Sequence, residues 1–177
     1  MPFYRNGTKL ETKSGINQGK QGNCYVVAAV AAYSLCFVPA ANLATVVSAV
    51  GFGMGGNSDR AFKAMGLYSF SKSIAYKGIW KQLITRSVDR GWPVCLGISW
   101  RNMDRSGQGN HVVYVTGYEG NTVYARDQQN GHVLISVVME DPWLSDEFVA
   151  GLRTSREATV SWVGVGCPSR NDAALLL

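Results

Sequence analysis

The feature that most constrains this chain is a run of 38 residues, from Gln21 to Ser58, that contains no Asp, Glu, Lys or Arg. A membrane-spanning helix needs about 20 predominantly apolar residues, so the run must first be tested as a span. Ser34, Pro39 and Asn42 interrupt it and leave two apolar pieces of roughly a dozen residues each, which is the length of a buried helix. The sequence therefore predicts two buried helices and no membrane segment.

Composition narrows the class of protein further. The chain has 177 residues, a net charge of +5 and 46% apolar residues, which is enough for one domain with its own core. Polar sequence precedes the apolar run, and no basic start with a small-residue cleavage site is visible, so we expect a soluble protein without a signal peptide. Lys and Arg are scattered rather than arranged in a basic and aromatic stripe, so nucleic-acid binding is not expected.

The four cysteines do not form a metal-binding pattern. They stand at positions 24, 36, 95 and 167, without a C-x-x-C pair or a cluster with histidine at zinc spacing. We therefore predict no metal, no cofactor and reduced thiols. Cys36, Cys95 and Cys167 lie in apolar segments and are expected in the core, which leaves Cys24 as the unusual thiol.

The order of predicted elements indicates the fold class. Apolar spacing, glycines and prolines predict helices at 24–37, 40–50, 59–65 (with Ser58-Asp59 as its cap), 78–90 and, after a Ser145 cap, around 148–152. Strands are predicted at 93–100, 111–118, 122–126, 132–138 and 158–165. This order predicts a single α+β domain with a mainly helical half at 1–91 and an antiparallel β-sheet half at 92–177.

Three residues from the two halves have the chemistry of a nucleophilic site. Cys24 follows a glycine-rich loop and opens a predicted helix, where the positive end of the helix dipole favours a thiolate. His111 begins a strand after a polar loop, and Asp127 ends the next strand of the same hairpin. Because an antiparallel pair brings these two ends together, a Cys–His–Asp triad is predicted. Gln128 and Asn130 are alternative partners for the imidazole.

Two segments resemble papain-like cysteine peptidases. Residues 18–25, Gln-Gly-Lys-Gln-Gly-Asn-Cys-Tyr, resemble the family's nucleophile segment, and 110–118, Asn-His-Val-Val-Tyr-Val-Thr-Gly-Tyr, resemble its histidine strand. The resemblance implies that Gln18 provides the side-chain donor of the oxyanion hole, Cys24 is the nucleophile and His111 is the acid–base residue. It also implies a papain-like fold, in which a central catalytic helix packs on the sheet half.

Departures from the family pattern indicate which branch the chain resembles. Asp127 stands where the family has Asn, or Asp in bacterial relatives, and Gln21 replaces the cysteine that normally precedes the nucleophile by three residues. The distance along the chain from Cys24 to His111 is also shorter than in the plant and lysosomal enzymes. These features resemble compact bacterial members, which include peptidases that cut after double glycine, effector peptidases and toxin domains.

The resemblance implies a function and a set of partners. We expect a cysteine peptidase that cleaves a protein substrate, with a Gly-Gly site as one option, delivered as a toxin or effector into the cytoplasm of a target cell and opposed by a cognate immunity protein. A glutamine deamidase or transamidase toxin is the first alternative, and a non-catalytic binding module is the second. The predicted substrate-binding residues flank the catalytic ones: Gly22, Asn23, Trp100 and Asn110. His132, the other histidine, is expected on the surface.

Overall fold

The computed structural model describes residues 24–51, 58–73, 79–100, 111–128, 133–138, 141–144 and 158–177. The helices in these ranges are α1 (Cys24–Cys36), α2 (Leu43–Val50), α3 (Asp59–Ala64), α4 (Ile79–Arg90) and α5 (Arg170–Ala173), with a 3₁₀ turn at Ala174–Leu176. The strands are β1 (Tyr68–Ser73), β2 (Val94–Trp100), β3 (His111–Glu119), β4 (Thr122–Asp127), β5 (Val133–Val138), β6 (Asp141–Leu144) and β7 (Ala158–Cys167). The predicted α+β class is confirmed.

The strands described here form one antiparallel sheet in the order β1-β7-β2-β3-β4-β5-β6. β6 also pairs with β7, through Trp143 and Thr159, so the sheet curls back on itself. β3 and β4 form the predicted hairpin, in which Glu119 pairs with Thr122 and Gly120 adopts a positive φ of 56°. Glycine favours such a turn because it has no Cβ to clash in the left-handed region. The hairpin fixes which ends of β3 and β4 meet.

Helix α1 lies at the centre of the fold. Ten of its 13 residues are buried, and it packs against β2, β3, α2 and α3. The buried side chain of Ser34 donates a hydrogen bond to the carbonyl of Val30 at 2.7 Å, which satisfies this hydroxyl within the helix. The absence of charged residues from α1 is thus explained by packing on every side of this helix.

Helix α4 covers the other face of the sheet. Its buried residues Leu83, Ile84 and Val88 recur at helical spacing, and the helix packs on β2, β3 and β7. α1 also packs on β2 and β3, yet it hardly contacts α4. Since consecutive residues of both strands are buried and successive side chains of a strand point to opposite faces, the two helices cover opposite faces of the sheet. None of the helices in the described ranges has the length and apolar character needed to cross a bilayer.

Several elements differ from the sequence prediction. β1, β6 and α5 were not predicted, and β1 places a strand inside the half expected to be mainly helical. α2 begins three residues later than expected because Asn42 caps it by accepting a hydrogen bond from the Thr45 amide at 3.0 Å. The prediction that this helix is buried is wrong, since only Val46 of its eight residues is buried and its other side chains reach the surface. Ser58 precedes α3, but within the described part of the chain its side chain makes no capping hydrogen bond. The helix predicted around 148–152 lies outside the described residues.

Candidate active site

The β3–β4 hairpin brings His111 and Asp127 into contact, as the sequence predicted. His111 is the first residue of β3 and Asp127 is the last residue of β4. His111 Nε2 lies 2.7 Å from Asp127 Oδ1, and the two residues are 7% and 0% exposed. A carboxylate this deeply buried requires a donor, and the imidazole provides one. The contact fixes the orientation of the ring and keeps a proton on Nε2, which donates to the carboxylate.

Cys24 meets the same imidazole from the first turn of α1. The Cys24 side chain is half-buried and forms a hydrogen bond with His111. Because Nε2 of His111 is occupied by Asp127, the other ring nitrogen, Nδ1, is the one left to contact the Cys24 sulfur. The three predicted triad residues are therefore in a continuous chain from thiol to imidazole to carboxylate.

The surroundings of His111 favour its protonated form. Burial lowers its pKa, but the hydrogen bonds to Asp127 and Cys24 and the negative charges of these two groups outweigh burial and raise the pKa to about 9. At neutral pH the ring is therefore an imidazolium held between the Asp127 carboxylate and the Cys24 sulfur. The first turn of α1 contains no acidic residue, so no carboxylate there opposes a negative charge at Cys24.

Gln128, the residue after Asp127, was considered in the sequence as an alternative partner of the imidazole, but its amide group hydrogen-bonds to two backbone carbonyls. It is 1% exposed, and its Nε2 donates to the carbonyl oxygens of Val112 at 2.7 Å and Cys24 at 3.3 Å. The imidazole is oriented by Asp127 instead. Sequence reasoning missed this arrangement because the acceptors of Gln128 are backbone carbonyls, which leave no pattern in the side chains.

A second thiol, Cys95, lies close enough to Cys24 to be affected by its charge. Burial raises the pKa of Cys95, the nearby Ser58 hydroxyl lowers it, and the charges of Cys24 and Asp59 raise it again. The net rise keeps Cys95 as a neutral thiol. Cys95 and Cys167 are buried as predicted, whereas Cys36 is only half-buried. None of the four cysteines, all of which lie in described ranges, forms a disulfide.

The remaining predicted site residues fall largely outside the described ranges. Trp100 is the last residue of β2, where its backbone pairs with Ala158. Six further residues that the sequence analysis named lie outside the described ranges: Gln18, Gly22, Asn23, Asn110, Asn130 and His132. Among the residues that are described, no group of three His, Cys, Asp or Glu side chains is placed to hold a metal ion.

Comparisons with protein-family models and with curated proteins gave no match.

Proposed function

We propose that this protein is a cysteine peptidase of papain-like fold, with Cys24 as nucleophile, His111 as acid–base residue and Asp127 as the residue that orients the imidazole. The observation that carries the proposal is the buried contact of 2.7 Å between His111 Nε2 and Asp127 Oδ1, with the Cys24 side chain hydrogen-bonded to the same ring. A thiol beside an imidazole whose other nitrogen is held by a third group is the arrangement of nucleophilic thiol catalysis.

The arrangement of elements supports the same proposal. Cys24 opens a central buried helix, and that helix packs on the antiparallel strand that begins with His111. The next strand ends with Asp127. This is the layout that the resemblance to papain-like peptidases implies. It also matches the order of the sequence motifs, in which the nucleophile precedes the histidine and the carboxylate.

The proposed roles of these residues give a complete sequence of steps for peptide hydrolysis. The imidazolium of His111 stabilises a Cys24 thiolate, whose sulfur attacks the substrate carbonyl carbon to form a C–S bond. The backbone N–H of Cys24 and the proposed Gln18 amide stabilise the oxyanion. His111 then gives its proton to the leaving nitrogen as the C–N bond breaks. Water attacks the resulting thioester, passes a proton to His111 and releases the acid, which restores the Cys24 thiolate and the imidazolium.

The biological setting is proposed from the sequence resemblance. A protein substrate in a target cell, with a Gly-Gly sequence as a candidate site, suits a compact bacterial toxin or effector. A cognate immunity protein would then block the cleft beside Cys24. Thioester chemistry at the same residues also serves glutamine deamidation and transamidation, so the test must distinguish these products from peptide fragments.

The test compares new protein N-termini in cells that produce the wild type, Cys24→Ala or Ser34→Ala. Ser34→Ala removes a buried hydroxyl from the same helix without touching the triad, so it controls for effects on folding. We expect a defined set of new N-termini with the wild type and the control, and their loss with Cys24→Ala. Conversion of a target Gln to Glu or a transamidated Gln, without fragments, would replace the peptidase with a deamidase or transamidase. Identical protein populations with and without the thiol would refute catalysis.

A further inference from the structure

Gln128 joins the two backbone segments that carry Cys24 and His111. Its side-chain amide lies between the carbonyl of Cys24, at the start of α1, and the carbonyl of Val112, the residue after His111. These acceptors are 104 and 16 residues away along the chain. One buried side chain therefore contacts both parts of the site that have to meet.

The two hydrogen bonds of Gln128 restrict the position of α1 relative to β3. A helix packed on a sheet is held mainly by apolar contacts, which allow small sliding movements, whereas hydrogen bonds to two fixed carbonyls define a position. Burying a primary amide is unfavourable unless its donors are satisfied. Gln128 uses its Nε2 for both carbonyls, so a shift of α1 relative to β3 would lengthen at least one of these bonds.

We infer that Gln128 is a positioning residue, which sets the separation between the Cys24 sulfur and the His111 ring. Asp127 and Gln128 then have complementary tasks: Asp127 orients the imidazole, and Gln128 fixes the backbones from which the thiol and the imidazole project. The inference rests on the proposed function, because it concerns the reactivity of the Cys24–His111 pair. A displacement of about 1 Å at such a pair is enough to slow a reaction substantially.

The test measures alkylation of Cys24 by iodoacetamide at neutral pH, relative to alkylation of Cys36 in the same molecules. Both thiols are half-buried and lie at the two ends of α1, so Cys36 is an internal reference. Gln128→Met keeps the length of the side chain but removes its donors, and Gln128→Asn keeps the donors but shortens the reach. Ser34→Ala is the control for loss of another buried hydrogen bond to a carbonyl.

We expect the Cys24 to Cys36 ratio of rates to fall about tenfold in Gln128→Met, less in Gln128→Asn, and to stay unchanged in Ser34→Ala even if its melting temperature falls. The titration of His111, followed by NMR, should shift towards lower pH in Gln128→Met, which a purely structural role would not cause. If Gln128→Met does not fold, Gln128→Asn decides. A wild-type ratio and a wild-type His111 titration in folded Gln128 variants would overturn the inference.

The outcome can be separated from that of the proposed function because thiol alkylation needs no protein substrate. If the ratio falls in the Gln128 variants but no target is modified in cells, positioning holds and the peptidase proposal fails. If the ratio falls in His111→Ala but not in the Gln128 variants, the pair is real and the positioning role is wrong.

Discussion

At the scale of single residues, the site depends on one buried carboxylate. Asp127 is 0% exposed, and a charge in such a place is stable only with a close partner. His111 is that partner, at 2.7 Å, and its raised pKa is the electrostatic consequence. The sequence predicted this contact because a hairpin brings fixed residues together. It did not predict the contacts of Gln128, since these depend on where two backbones pass in space.

Asp127→Asn should lower the pKa of His111 from its value of about 9, because the amide keeps the hydrogen-bonding shape but loses the negative charge. A raised pKa stabilises the folded state fully below the unfolded value of 6.5, and this stabilisation is lost as the pH rises through about 9. The free energy of unfolding of the wild type should therefore approach that of the variant between these pH values. NMR titration and denaturant unfolding at several pH values measure both effects; an unchanged His111 midpoint would contradict this.

At the scale of elements, the clearest difference between sequence and structure is β1. Its residues alternate, but the serines rather than the aromatic residues point towards α3: Ser69 is buried, whereas Tyr68 is exposed. Asp59 accepts hydrogen bonds from Ser69 at 2.6 Å and Ser71 at 3.1 Å, so a polar face is satisfied inside the fold. A strand whose inner face carries the buried Ser69 and the half-buried Ser71 is not predicted from apolar periodicity, which explains why the strand was missed.

The approach of β7 to β2 depends on Gly97. A Cβ at this position would overlap the indole of Trp162, so Gly97→Ala should destabilise the protein by about 1–3 kcal/mol through overpacking. In a Trp162→Leu background the same substitution should cost less, because the indole is absent. Urea unfolding of the four members of this double-mutant cycle measures the difference. An equal cost in both backgrounds would show that the indole is not the obstacle.

The start of α2 depends on Asn42, whose Oδ1 accepts from the Thr45 amide. Asn42→Ala should lower the free energy of unfolding by about 1 kcal/mol, because the amide of the first turn loses its acceptor. Asn42→Asp retains an acceptor at the positive end of the helix and serves as the matched control. Thermal or urea unfolding compares the three proteins, and equal destabilisation by Ala and Asp would contradict the capping role.

At the scale of the whole molecule, burial explains the absence of charge in the first helix of the charge-free run but not in the second. The run includes the central helix α1, the connection that follows it and the helix α2. Cys24 is the first residue of α1 and Cys36 is the last. The sequence predicted two buried helices in this run. Helix α1 is buried, but only Val46 of α2 is buried and Val38 between the two helices is 86% exposed, so the absence of charge does not by itself establish burial. The order and curl of the sheet depend on long-range strand pairs, such as β1 with β7 and β6 with β7, which no local sequence pattern specifies.

The most direct test of the Cys24–His111 pair is the alkylation rate of Cys24, relative to Cys36, in the wild type and in His111→Ala. We predict that the Cys24 thiol of the wild type reacts faster than Cys36 at neutral pH, because an imidazolium lies beside Cys24 and the positive end of α1 supports it. In His111→Ala the two rates should become similar. Equal reactivity of Cys24 and Cys36 in the wild type, unchanged by removal of the imidazole, would contradict the proposed nucleophile.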